Sequence, residues 1–412
     1  MTAIVGILNK RAAVMAADSA VTVSNSKGVK VYNTATKIFS LSDENPIGVM
    51  IFNSVEFMGT PWDLIFNLYR KEMGGKACQS VQEYAEEFIR FLKSKDYFCN
   101  EETRSRYLIQ ELAAYYDMVK TRILEQLQEE DETDAVRAKL KEFFSDLTEL
   151  SQDEGVCKEF EGYRESDFFK ILSEHFGDLK ETCEQDHLPT DMMDDWHRSF
   201  FEQIRSKLFL HPITHTGVVF VGYGEKDLFP SIFPMYIGGV IGNRLRYYFD
   251  MERADRITHD NAASIAPFAQ GDVMLTMMKG LAPDMYTFIT GEVRQSMKEV
   301  VQQATQQLGI RDKNKVDEVA EPIIDKIQKD FEDKIDDIIV EQYTSGIVET
   351  VESFNVEDMV NMAESLISIT NLQRHITSSE ESVGGPIDVA IITKSRGFQW
   401  VKHKKDTFEF NK

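Results

Sequence analysis

The chain has 412 residues, enough for two or three domains or for one domain with a large insertion. Its formal net charge of −23 argues against a nucleic-acid or anionic-membrane partner, since both call for a basic face. With 42% hydrophobic and 28% charged residues it has the composition of a globular protein, and no apolar run approaches the roughly 18 residues that cross a bilayer.

Residues 2–8 and 12–17 are short, β-rich and separated by the charged turn Asn9-Lys10-Arg11, a pattern that predicts a hairpin. Polar residues arrive by Asn9, so this end does not read as a secretory signal. Strand-like stretches recur at Lys30–Tyr32, Lys37–Leu41 and Gly48–Phe52, which predicts a β-meander over the first fifty residues. The character changes at Thr60-Pro61-Trp62. From there to about Leu210 the chain is acidic and helical. Apolar residues recur at three- and four-residue spacing in Val81–Lys93, Arg106–Leu127, Thr133–Leu150 and Asp191–Leu208. The acidic stretch 129–134 reads as an exposed turn.

β character returns at Thr214–Gly224, Phe233–Val240 and Arg244–Phe249. The glycines of Gly222-Tyr223-Gly224 lack a Walker lysine and a following helix, so they read as turn residues and not as a phosphate loop. Residues 271–371 are helical again, with amphipathic runs at Thr290–Leu308, Asp317–Gln342 and Val356–Ile369, punctuated by Gly309 and Pro322. Two strands, Ile387–Thr393 and Phe398–Lys402, close the pattern around a Ser395-Arg396-Gly397 turn. The order strands, helices, strands, helices, strands predicts an α+β fold. Cys78, Cys99, Cys157 and Cys183 form no CxxC pair, so neither a disulfide framework nor a zinc site is indicated, and a reducing cytoplasm is the expected compartment. Cys183 and His187 lie one turn apart without a second ligand pair, so no metal or other cofactor is expected.

The chemistry-bearing feature is Thr2. Once Met1 is removed, Thr2 carries a hydroxyl and a free amine on one residue, a nucleophile with a built-in base. An unperturbed α-amine has a pKa of about 7.7–8.0, so it can take the hydroxyl proton near neutral pH. A nearby cation keeps such an amine neutral, and a carboxylate can hold that cation in place. Lys37 and Asp18, on strands near Thr2 in the sequence, are the candidates for the two roles.

The segments "TAIVGILNKRAAVMAADSAVTV" and "NTATKIFSLSD" resemble the N-terminus of proteasome β subunits and their bacterial relatives, the N-terminal nucleophile (Ntn) hydrolases. The block "SVGGPIDVAIITKSRGFQW" is similar to the closing block of that family. The resemblance covers about residues 2–60 and 378–402 well, 216–271 loosely, and 61–210 not at all. It implies a four-layer αββα sandwich built from 2–60 and 211–412, with long helices at 271–371 and a large acidic all-helical insertion over 61–210. It further implies Thr2 as nucleophile, Asp18 as the acid that fixes the lysine, and Lys37 as the lysine that tunes the amine. The backbone N–H that would receive the oxyanion falls near Asn53, where the family has glycine. The family's Gly-Ser-Gly falls on Ala269-Gln270-Gly271. Its Asp-x-x-Ser falls on residues 380–383, with Glu380 in place of the acid and Ser382 as the nearest hydroxyl.

The activity so implied is hydrolysis of amide bonds, with peptides or proteins as substrate and a homo-oligomeric ring as assembly. An ATPase or another partner would dock on the insertion. Two alternatives stand beside it: a catalytically silent, proteasome-like structural or binding subunit, and a small-molecule amidase of the same fold with the insertion as a lid.

Overall fold

The computed structural model describes residues 2–25, 28–32, 35–126, 133–173, 176–310, 312–377 and 384–404. From the N-terminus come β1 (Ala3–Asn9), β2 (Ala13–Asp18), β3 (Val21–Asn25), β4 (Gly28–Tyr32), β5 (Ile38–Ser40) and β6 (Ile47–Asn53), then the two-residue strands β7 (Glu56–Phe57) and β8 (Thr60–Pro61). Helices α1 (Trp62–Met73), α2 (Val81–Lys93), α3 (Glu101–Gln126), α4 (Thr133–Asp153), α5 (Glu165–Leu172), α6 (Phe176–Gln185) and α7 (Met193–Arg205) follow. Next are β9 (Thr216–Gly222), β10 (Ser231–Ile241), β11 (Arg244–Phe249), β12 (Asp255–Arg256) and β13 (Ala263–Ala269). The chain continues through α8 (Asp272–Lys279), α9 (Pro283–Gln307), α10 (Lys313–Ile339), α11 (Ser345–Ser353) and α12 (Val356–Thr377), and then β14 (Ile387–Thr393) and β15 (Gly397–Lys402). The fold is α+β, as the element order predicts.

The chain divides into two compact units. The first comprises 1–34, 257–391 and 400–412. Its main sheet has the order β13-β1-β2-β14-β15, and β1 pairs antiparallel with both β2 and β13. All seven residues of β1 are buried, which is why this strand reads as a continuous apolar run and not as an alternation. Ala3, Val5 and Ile7 share one core with Val14, Ile265 and Met274, and with Met359, Ala363 and Ile367 of α12. The β1–β2 turn is held by Asn9, whose Oδ1 accepts from the N–H of Arg11 and whose Nδ2 donates to the carbonyls of Val351 and Phe354. One asparagine thus closes the hairpin and ties it to the end of α11.

The second unit comprises 35–256 and 392–399. Its sheet has the order β11-β10-β9-β6-β5, with β12 paired to β10. One face, carrying Val49, Ile51, Val218, Phe220 and Met235, packs on Trp62, Phe66, Tyr84 and Phe88 of α1 and α2. A separate core forms among α3–α7 around Trp196, with Tyr115, Phe144, Phe168 and Phe200. Two fully buried charges anchor that layer: Arg246 pairs with Glu111 at 3.4 Å and donates to the carbonyls of Gln203, Ser206 and Leu208.

Several elements differ from the sequence reading. The first fifty residues do not form one meander: β1 and β2 belong to the first sheet, β3 and β4 form a two-stranded sheet among the described residues, and β5 and β6 join the second sheet. Helix α7 stops at Arg205, short of the expected Leu208, and the carbonyls of Ser206 and Leu208 beyond it accept from the buried Arg246. Helix α3 begins at Glu101, earlier than the apolar periodicity indicates. Asn100 caps it, its Oδ1 accepting from the N–H of Thr103 at 2.8 Å. Helix α9 begins at Pro283, proline's favoured first-turn position, and α10 runs through the exposed Pro322. His187 takes a left-handed backbone, φ 58°, just after α6, which makes the Cys183–His187 spacing a helix ending. Gly222 ends β9, while the Gly224 carbonyl accepts from the N–H of Asp227 in a turn; a Cβ on Gly224 would lie 2.2 Å from the carbonyl oxygen of Gln79. Among the described residues no helix is long and apolar enough to cross a membrane. Of the acidic stretch 129–134, expected as a turn, Thr133 and Asp134 instead open α4, and 129–132, together with Glu380 and Ser382, lie outside the described residues.

Candidate functional site

Thr2 and Asp18 fall in the first unit, and Lys37 and Asn53 in the second. Thr2 leads into β1 and is 5% exposed. Its carbonyl accepts from the N–H of Gln270 at 3.1 Å, so the edge strand β13 sets the depth of the N-terminal residue. Asp18, at the end of β2, is 1% exposed. Its Oδ1 accepts from the N–H of Ala3 at 2.9 Å. Its Oδ2 accepts from Ala20 at 3.2 Å and Gly384 at 3.3 Å. A buried carboxylate that receives backbone N–H groups from three segments is a clamp, and here it grips the residue next to Thr2.

A second buried group lies beside this clamp. Asp388 on β14 pairs with Lys404 at 3.3 Å and accepts from the Lys404 N–H at 2.9 Å. Lys404 Nζ also reaches Ser19 Oγ at 3.4 Å, while that hydroxyl donates to the Pro386 carbonyl at 2.7 Å. Sequence reasoning gave no role to Ser19, Asp388 or Lys404. The signal was the charge inside an otherwise apolar strand.

In the second unit Lys37 is 1% exposed, and its carbonyl accepts from the N–H of Ile51. The pairing of β5 with β6 places Lys37 one strand over from the run that ends at Asn53. Asn53 has a left-handed backbone, φ 68°. Its Nδ2 lies 2.8 Å from Nε2 of His215, whose Nδ1 lies 2.9 Å from the His211 carbonyl. Burial pushes His215 down to about 4, so the ring is neutral at pH 7. Its tautomer follows: Nδ1–H donates to His211, and Nε2 accepts from Asn53. His215 was missed as a site residue because a lone histidine at a strand start carries no pattern.

The sequence-predicted residues thus form two arrangements. Asp18 is joined to the backbone N–H of Ala3, next to Thr2, while Lys37 just precedes β5 and Asn53 ends the neighbouring β6. The first can fix a nucleophile at the head of a strand. The second offers a buried ammonium and a strand end turned into the left-handed region. No known family model matches the chain, and no curated protein matches its sequence.

Proposed function

We propose that the chain is an N-terminal threonine amidohydrolase of the Ntn type, a four-layer αββα sandwich acting on peptide bonds. The observation that carries this reading is the Asp18 clamp on the N–H of Ala3, which holds the head of β1, and Thr2 with it, in one position. Two backbone features support it. Asn53 and Ala269 stand where the family has glycine, and both adopt left-handed φ values, 68° and 58°, that glycine favours. A non-glycine residue keeps such a conformation only where the surrounding structure requires it.

In the mechanism, removal of Met1 frees the α-amine of Thr2. The amine takes the proton of the Thr2 hydroxyl, directly or through a water. Oγ then attacks the scissile carbonyl, and the amine returns the proton to the leaving nitrogen. Water, activated by the same amine, releases the acyl group. The resemblance assigns Lys37 the task of keeping the amine neutral by repulsion. It assigns the N–H at Asn53 the developing oxyanion.

The test is turnover of a panel of peptidyl-aminocoumarin amides. Wild type and Thr2→Ser should cleave at least one member, and Thr2→Ala should fall to background. Equal turnover by Thr2→Ala would remove Thr2 from the mechanism.

A further inference from the structure

The second unit contains a polar cavity of about 230 Å³ that makes no use of Thr2. It is enclosed by the end of β6, the β7–β8 turn, the start of β9, the middle of β10 and one stripe of α3. Thr103, Arg106 or Tyr107, and Gln110 recur on that stripe at helical spacing, so one face of α3 forms a whole wall. Its volume falls below the roughly 300–1,000 Å³ typical of drug-sized ligand sites. Such a space suits a molecule of few atoms.

Close packing fixes one wall of the cavity. Gly238 and Gly239 on β10 let the Tyr107 ring lie against the strand, because a Cβ there would come within 2.6 Å and 2.5 Å of it. The Tyr107 hydroxyl donates to Glu111 at 2.8 Å, and Glu111 pairs with the buried Arg246. Both ring nitrogens of His215 are committed elsewhere, so that residue is wall and not acid or base. Backbone strain gathers here as well. Met58 and Gly59 line the cavity, and Asn53 adjoins its lining residue Ser54, with left-handed φ values of 52°, 81° and 68°. Left-handed backbone at non-glycine residues concentrates at ligand clamps.

Two charged side chains line the cavity, Arg106 and Glu56. Among the described residues neither is ion-paired or hydrogen-bonded through its side chain, and they do not pair with each other. Both are exposed side chains, of opposite charge, on the lining of one cavity. A small molecule carrying both charges satisfies both groups. Carboxylate on guanidinium forms the strong bidentate pair, and an ammonium answers the glutamate.

We propose that this cavity binds a free α-amino acid, its carboxylate on Arg106 and its ammonium on Glu56. The proposal is independent of any activity at Thr2. The test is calorimetric titration of the full chain at pH 7 with each of the twenty protein L-α-amino acids at millimolar concentration. For the tightest binder, its N-acetyl and carboxamide derivatives are titrated alongside. One or more amino acids should bind saturably. Arg106→Gln and Glu56→Gln, both at exposed positions, should each weaken that binding roughly tenfold or more with an unchanged circular dichroism spectrum, and the two derivatives should bind as poorly. Thr2→Ala should bind like wild type. Binding by none of the twenty, equal binding of either derivative, undiminished binding by either charge variant, or loss of binding in Thr2→Ala would overturn the proposal.

Discussion

Asp18→Asn isolates the clamp at the head of β1. The carboxylate now serves three backbone N–H groups, one on Oδ1 and two on Oδ2. An asparagine has a single acceptor oxygen. Turned to keep Ala20 and Gly384, it points its NH₂ at the N–H of Ala3. One buried donor is then left without an acceptor, at about 1–3 kcal/mol, and two charge-assisted bonds become neutral at roughly 1 kcal/mol each. The expected destabilisation is therefore about 3–5 kcal/mol. Urea unfolding of the full chain, followed by circular dichroism, measures it as a fall in midpoint at constant slope. The loss should centre on residues 2–5, which hydrogen exchange reads as faster amides along β1. A change below about 0.5 kcal/mol, with β1 amides as protected as in wild type, would refute the clamp.

His215 gives a pH signature. Its folded pKa of about 4 lies below the ordinary 6.5, so the neutral ring stabilises the fold. That contribution is complete above pH 6.5 and is lost as pH falls from 6.5 through 4, for a total of about 3 kcal/mol. His215→Gln should reduce the fall in stability between pH 6.5 and 4, leaving the part that His197, also lowered to about 4 by burial, contributes; an unchanged slope in that variant would place the loss elsewhere. Gly224→Ala puts a methyl 2.2 Å from the Gln79 carbonyl oxygen and 2.3 Å from Ser80 Cα, both backbone atoms that cannot swing aside. It should lower stability by about 1–3 kcal/mol in thermal unfolding, and a neutral result would show that the β9 turn has slack.

Much of this arrangement is legible in the sequence, for identifiable reasons. Residues 2–8 and 12–17 announce a hairpin because an apolar run on each side meets Asn9-Lys10-Arg11; the strands form at 3–9 and 13–18, and Asn9 is the residue that closes the turn. Asp18 and Thr2 are legible because position two is the one place where a threonine's hydroxyl and a free amine can coincide. The paths of β3–β6 are not legible. Local pattern reports a strand but not its partner, and these four strands pair in two different sheets. Contacts that distant side chains make at a helix end are equally hidden. Nothing near Arg205 foretells that Arg246, on β11, will take the carbonyls beyond it. His215, Arg106 and Glu56 escape for the same reason, being three isolated polar residues far apart in the chain that only the fold gathers around one cavity. Strain is likewise visible only in the backbone, as at Asn53 and Ala269.

The central claim is that Thr2 supplies both a hydroxyl and a free amine. A peptidyl epoxyketone reacts with that pair, the hydroxyl adding to the ketone and the amine opening the epoxide. Intact mass spectrometry of the protein after incubation with such a probe tests the claim directly. The account predicts a chain lacking Met1 that carries one probe on wild type, mapped to Thr2, and none on Thr2→Ala. A chain that keeps Met1, stays unlabelled, or labels equally in Thr2→Ala would contradict it.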